Sequence, residues 1–272
     1  MHEKLRGLSR VFIGAAAATF LAAGAAQAAK APPKQLELYA IDCGRLPVPD
    51  ADGFADDGSY KGVSRTMVVP CYLIRHPKGD LVWDTGTPAS KDKLLAGLAA
   101  LDLTPADIEF ISISHSHFDH IGNAGLFSAS TWIVDPDEKT YAFRPQARTA
   151  AAQFAAYSAL EASKARLVEG PSLDVFGDRT VVVHQMPGHT PGHTILELKL
   201  KGAGTVLLTG DLWHLAESRA GKKVPRFNTD RAQTLKSYEA TEALAARTNA
   251  RVVREHVPED FDSLPKFPAA LK

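Results

Sequence analysis

The chain has little cysteine, no excess of either charge and, past its first residues, no long apolar run. Only Cys43 and Cys71 are present among 272 residues. Lys plus Arg and Asp plus Glu both number 31, a formal net charge of zero. That balance argues against a nucleic-acid binder, which needs a basic stripe to meet phosphates. Beyond residue 28 no segment approaches the ~20 apolar residues that a membrane-spanning helix needs. There is also no tandem repeat of solenoid length and no internal low-complexity tract. A single soluble catalytic or binding unit remains.

The first residues are different in kind. Lys4, Arg6 and Arg10 precede the apolar stretch VFIGAAAATFLAAGA, and AQA follows at 26–28. A basic start, a short apolar core and a small-x-small site form the pattern of a cleaved secretory signal peptide. We therefore expect residues 1–28 to be removed, leaving a periplasmic or secreted protein of residues 29–272 with no stable membrane anchor. Losing Lys4, Arg6, Arg10 and Glu3 leaves 28 basic and 30 acidic residues, a net charge near −2. An oxidising compartment permits a Cys43–Cys71 disulfide. Two buried thiols on neighbouring strands are the other reading.

Period-two alternation and β-branched runs mark strands in LELYAID, TMVVPCYLIRH, DLVWDTG, FISIS, TWIVD, ARLVEG, TVVVHQM, HTILELKL, TVLLTGD and RVVREH. KDKLLAGLAALDL, the Ala-rich RTAAAQFAAYSALEASKA and TDRAQTLKSYEATEALAART read as helices, the last with Asp230 in its first turn. TPAD, with Thr104 before Pro105 and Asp107 three residues on, reads as a helix start. Strands dominate both halves and no linker interrupts them. The pattern predicts one α+β domain with a sheet-on-sheet core and helices outside. Trp83 and Trp132 are expected in that core. Trp213 follows a candidate ligand closely enough to serve either core or site. Loop 44–65 and the Ala-rich stretch near 148–166 are candidate covers for a site.

The densest chemical signal is HSHFDH at 115–120, directly after FISIS. Three imidazoles and a carboxylate in six residues suit a metal centre, provided that further ligands arrive from elsewhere. The ends of other β-rich runs supply them: His189 in MPGHTPGH after TVVVHQ, Asp211 at the end of TVLLTGD, and His256 at the end of RVVREH. With His115, His117, Asp119 and His120 this makes seven ligands at strand-to-loop junctions. Residues two apart at an extended strand end face the same side, so His115 and His117 can share one ion. Asp119 and His120 follow where the chain turns and can face a second. Imidazole and carboxylate suit Zn²⁺, and Fe or Co would fit the same donors. His193, beyond the ligand position of PGHTPGH, is expected to support the site rather than to ligate.

HSHFDH, PGHTPGH, GD after a hydrophobic strand, a late strand-end histidine and the early WDTG at 83–86 together resemble the metallo-β-lactamase superfamily, over essentially all of 29–272. The resemblance implies a single αββα sandwich carrying two divalent metal ions on one edge. His115, His117 and His189 would hold the first ion, and Asp119, His120 and His256 the second. Asp211 would bridge them, and Asp84 would support a ligand histidine's other ring nitrogen. Within the superfamily, MVVPCYLIRHPKGDLVWDTG, SHSHFDHIGNAGLF and PGHTPGHT resemble the N-acyl homoserine lactonases. This implies lactone-ring opening, with a small-molecule lactone or ester as partner. Asp119 would shuttle the proton. A homodimer is compatible with the sequence. A periplasmic β-lactamase and a broader ester or phosphotriester hydrolase are the alternatives. The lactonases carry Tyr three residues after the bridging Asp. Here GDLWH puts His214 there, so His214 is expected to act at the substrate carbonyl.

Overall fold

A computed structural model describes residues 31–272, so the expected signal peptide, residues 1–28, lies outside the described residues. The most apolar run, TMVVPCYLIRH, is buried along nearly its whole length because it lies in the interior of a sheet and is covered on both faces. That sheet has six strands in chain order: β1 (Glu37–Val48), β2 (Arg65–His76), β3 (Gly79–Thr85), β4 (Phe110–Ser112), β5 (Thr131–Val134) and β6 (Ala165–Leu167). β1 to β3 are antiparallel, and β3 to β6 run parallel. The second sheet holds β7 (Ser172–Asp174), β8 (Val181–Gln185), β9 (Thr194–Leu200), β10 (Gly204–Leu208) and β11 (Arg251–Val253), in the order β11-β10-β9-β8-β7.

Alternation decides which residues go between the sheets. Leu38, Tyr72, Ile74, Leu81 and Trp83 of the first sheet meet Val181, Val183, Leu196, Leu198 and Leu208 of the second. Full burial of side chains of this size contributes ~1.5–3 kcal/mol each. The outer face of the first sheet packs Leu73, Val82 and Ile111 under Leu94 and Leu98 of α1 (Lys91–Ala99). Short helices α2 (Pro136–Ala142), α3 (Pro145–Thr149) and α4 (Ala151–Ala155) follow β5, and α5 (Ser218–Gly221) follows β10. Ile195 and Leu207 on the outer face of the second sheet pack under Tyr238, Leu244 and Ala245 of α6 (Arg231–Thr248). Asp230 caps α6, accepting the Gln233 N–H, one place earlier than its expected first-turn position. α7 (Pro258–Asp262) comes last. The layers are those of an αββα sandwich, as expected.

The differences from expectation are local. The Ala-rich stretch is not one helix: α3 and α4 break at Ala150, and a 3-10 turn covers Ser158–Ala162. Phe143, Phe154 and Tyr157 fold back as an aromatic cluster, and Gly125 N–H donates to the Ala156 carbonyl. Tertiary packing overrides alanine's helix preference here. The Thr104–Asp107 capping box forms, but on a single 3-10 turn before β4. All three tryptophans are buried, Trp213 packing on Tyr238 with ring centroids 5.1 Å apart. Cys43 and Cys71 form a disulfide between β1 and β2, with Cα atoms 5.8 Å apart. No helix among the described residues is long and apolar enough to cross a membrane.

Candidate metal centre

Parallel pairing sends β3, β4 and β5 out on one edge, and the chain after β8, β10 and β11 reaches the same edge. All seven expected ligands meet there. β4 stops at Ser112, so HSHFDH is the loop beyond the strand, tightening into a turn at 117–120. Ligand atoms of His115, His117, His189 and Asp211 lie within 4.8 Å of one another, as do those of Asp119, His120 and His256. Asp211 joins the two groups. Its Oδ2 is 3.4 Å from His115 Nε2 and 3.3 Å from His189 Nε2; its Oδ1 is 3.1 Å from His120 Nε2 and 2.9 Å from His256 Nε2. The seven side chains group in space as that division groups them, with the Asp211 carboxylate between the two sets.

Each imidazole's far nitrogen fixes which nitrogen faces the centre. His256 Nδ1 donates to the Val68 carbonyl at 2.9 Å, and His120 Nδ1 lies 2.8 Å from Asp84 Oδ2. His189 Nδ1 faces Asn228 Oδ1 at 3.3 Å, an orientation Asn228 holds by donating through Nδ2 to Gly188 O and Thr234 Oγ1. His115 Nδ1 meets the Ser114 hydroxyl at 3.1 Å. Each leaves its Nε2 lone pair turned inward, whereas His117 presents Nδ1, 3.1 Å from His189 Nε2. Partners on the outer nitrogen are the usual support of metal-bound imidazoles.

The donor set fits metal ions on two observations. His115 Nε2 and Asp211 Oδ1 are fully buried, yet neither makes a hydrogen bond, although imidazole nitrogens crowd around them. Such orphaned polar atoms are costly unless something else satisfies them. Burial, then the charge of neighbouring imidazoles, holds His115 and His117 well below their ordinary pKa, the neutral form that ligates. Burial alone would raise Asp211, but the histidines around it, His120 foremost, hold it well below the usual carboxylate range. Against the same burial, Asp211 pulls His120 and His256 upward.

His193 stands apart from the ligands, as expected. Its Nδ1 donates to the Met186 carbonyl at 3.1 Å, and its Nε2 accepts the Asp211 backbone N–H at 3.1 Å. Both nitrogens are committed, and burial lowers its pKa to about 3. It orients Asp211 through the backbone. Gly210, at φ +50°, makes room: a Cβ there would come within 2.6 Å of His193 Nε2. Asp84, itself at φ +52°, accepts from Ser114 N–H at 2.7 Å and Ser114 Oγ–H at 2.8 Å as well as meeting His120. A non-glycine residue in that region carries ~1–3 kcal/mol of strain, which functional sites tolerate.

His214 is buried at the cavity floor, its Nε2 3.0 Å from Asp211 Oδ2 and its ring stacked on His256. Burial lowers its pKa, against the pull of the Asp211 charge. The cavity above measures about 450 Å³. His117, Asp119, Asp211, His214 and His256 form one end; Leu46, Val48, Phe54, Met67, Phe118 and Phe227 line the rest. The segment 44–65 is not all loop, since β1 runs to Val48 and β2 begins at Arg65; the connection between them reaches the cavity through Phe54, whose ring lies 5.2 Å from that of His214 and 5.3 Å from that of Phe227. The Ala-rich segment does not line the cavity.

Four contributors escaped the sequence. Ser114 and Asn228 are ordinary polar residues whose partners are set only by folding. Glu255 is buried beside Asp84 and accepts the Trp83 Nε1–H at 2.7 Å. Burial, then the Asp84 charge, pushes its carboxyl well up. An acid immediately before the strand-end His256 was the available signal. Glu138 had no signal at all.

These features define a metallohydrolase-type sandwich, and residues 65–255 match the family model described as the Metallo-beta-lactamase superfamily; the chain belongs to that superfamily. Among characterised relatives, it is 28% identical to the N-acyl homoserine lactonase AttM of Azorhizobium caulinodans, over 86% of this chain and 97% of the relative. It is 25% identical to N-acyl homoserine lactonase AiiA of Bacillus thuringiensis subsp. kurstaki, over 85% and 97%. A solved quorum-quenching N-acyl homoserine lactone lactonase superposes with a TM-score of 0.75 at 26% identity, covering 86% of this chain and 98% of that one. An N-acyl homoserine lactone hydrolase with its product N-hexanoyl-L-homoserine at the catalytic metal center gives 0.74 at 25%, with the same coverage.

Proposed function

We propose that the protein is a two-metal hydrolase that opens the lactone ring of N-acyl homoserine lactones, a quorum-quenching activity. The observation that carries this is the shape of the site: a compact set of metal-competent donors closes one end of a cavity whose remaining wall is apolar. A small polar ring with an acyl tail matches both ends. His115, His117 and His189 would hold one divalent ion and Asp119, His120 and His256 the other, with Asp211 shared; Zn²⁺ suits these donors, and Fe or Co also fit. Bound there, such ions supply a nucleophile from water at neutral pH and a Lewis acid for the carbonyl.

The side chains of this protein then divide the remaining work. Phe54, Phe118 and Phe227 take the acyl chain and orient the ring toward the polar end. Asp119 accepts the proton of the attacking water and delivers it to the ring oxygen as the C–O bond breaks, giving the N-acyl homoserine. His214, whose Nε2–H donates to Asp211 Oδ2, would turn that donor to the carbonyl oxygen as negative charge develops there, in the place of the lactonases' tyrosine. Export with cleavage after Ala28 completes the proposal, and the Cys43–Cys71 disulfide supports an oxidising compartment.

One preparation tests the proposal. Protein purified from periplasmic extract should begin at Ala29 by intact mass and carry two divalent ions per chain. It should hydrolyse acyl homoserine lactones in preference to nitrocefin and paraoxon. One ion or none after metal-replete purification, or faster turnover of nitrocefin or paraoxon, would overturn the assignment.

A further inference from the structure

Outside the metal centre, one buried acid touches both of the loops that build it. Glu138 lies on α2, 3% exposed. Its Oε1 accepts the Ser116 N–H at 2.7 Å and the Ser116 hydroxyl at 2.6 Å. Its Oε2 accepts the Thr190 hydroxyl at 2.6 Å and the Gly192 N–H at 3.2 Å. Ser116 lies between His115 and His117; Thr190 follows His189, and Gly192 precedes His193. The first loop leaves one sheet and the second leaves the other, so a single carboxylate ties the two sheets together beside the centre. Close contact is built in: a Cβ on Gly192 would fall 2.2 Å from Glu138 N and 2.5 Å from Asp135 Oδ1. Asp135 also caps α2, accepting the Asp137 and Glu138 N–H groups, which fixes where Glu138 starts.

Among the described residues, no cationic side chain pairs with Glu138; hydrogen-bond donors alone satisfy it. Burying a carboxylate is expensive, and four donors on two oxygens compensate only if both loops stay in place. An apolar residue would fill the same space without that cost but could not fix the spacing of two backbone segments. The spacing that Glu138 spans is the one separating His117 Nδ1 from His189 Nε2, 3.1 Å apart.

We propose that Glu138 is a positioning residue that sets the separation of His117 from His189, and so the affinity of the ion they share with His115. This rests on the reading of those three histidines as ligands. It acts on one ion of the pair, because Asp119, His120 and His256 make no contact with it.

The test is Glu138→Gln in the full mature chain, with Zn²⁺ affinity read stepwise by competition with a chromogenic chelator and melting recorded with and without metal. The amide keeps the shape but turns a donor toward either Ser116 or Thr190. One Zn²⁺ should weaken by about 10-fold, the low end of the effect of losing a direct partner of a metal-bound histidine because Glu138 acts through the loops that carry them, while the other stays within about threefold. The gain in Tm on adding Zn²⁺ should shrink. Thr190→Val removes one donor and leaves three; it should weaken the same ion by a smaller factor, and it carries the test if Glu138→Gln does not fold. Two unchanged affinities, or both falling in step with a lower metal-free Tm, would overturn the proposal in favour of plain packing. Failure of the underlying reading shows separately, as fewer than two ions on the wild-type protein, and overturns both.

Discussion

Replacing Asp84 with asparagine changes one oxygen of a fully buried carboxylate and almost nothing of its shape. Asparagine also tolerates the left-handed backbone that Asp84 adopts at φ +52°, so the fold should survive. In the native site Oδ2 serves both the Ser114 hydroxyl at 2.8 Å and His120 Nδ1 at 2.8 Å, while Oδ1 takes the Ser114 N–H at 2.7 Å. Asparagine can keep the Oδ1 contact, but its NH₂ then faces His120 Nδ1–H, donor against donor. His120 resolves the conflict by moving its proton to Nε2, the atom aimed at Asp211 and the centre. A hydrogen bond to a charged group is worth about 1.5–3 kcal/mol. At 1.4 kcal/mol per decade that is roughly 10- to 100-fold in affinity for the ion at His120. The assay is chelator competition for Zn²⁺, with kcat and KM on the best lactone and Tm as the control for folding. We expect weaker metal binding and lower kcat with KM nearly unchanged. Zinc affinity and kcat both within about threefold of wild type would refute the argument that Asp84 fixes the His120 tautomer.

Two further outcomes are expected. His214→Phe, with both ions confirmed and Tm unchanged, should lower kcat by about 10²–10³, the cost of losing one donor at a developing oxyanion; a kcat/KM within about threefold on the best lactone would leave His214 a packing residue. In metal-stripped protein, His115, His117, His193 and His214 have lowered pKa values, so their contribution is present above 6.5 and is lost as pH falls below it. His120 and His256 have raised values, so theirs is present below 6.5 and is lost as pH rises. As far as these histidines set it, Tm of the stripped protein should therefore fall on both sides of about pH 6.5, and a Tm that climbs steadily from about pH 5 to 8 would contradict the raised pair.

The sequence by itself determined ten of the eleven strands, the layered class and the residues that gather at the candidate centre, because each of these is written locally; β7 and the end of β1 beyond Asp42 carried no such signal. The short apolar, β-branched runs in TVLLTGD and RVVREH mark buried strands by composition alone, and HSHFDH is dense enough to stand out without a partner. The grouping of the seven side chains into two sets came from the resemblance to the superfamily rather than from spacing, since the two sets interleave along the chain. Tertiary structure decided what depends on distance in space. Alanine's preference could not hold residues 148–166 as one helix once Phe154 and Tyr157 had a core to join. Whether Cys43 and Cys71 bond depended on the register of β1 against β2. His193 was read as support from its place in PGHTPGH, and the structure supplies the physical reason: the Met186 carbonyl and the Asp211 N–H occupy both of its nitrogens. Glu138 shows the limit most plainly. It lies 22 residues after Ser116 and 52 before Thr190, and a carboxylate's reach is a few ångströms of space rather than any interval of sequence.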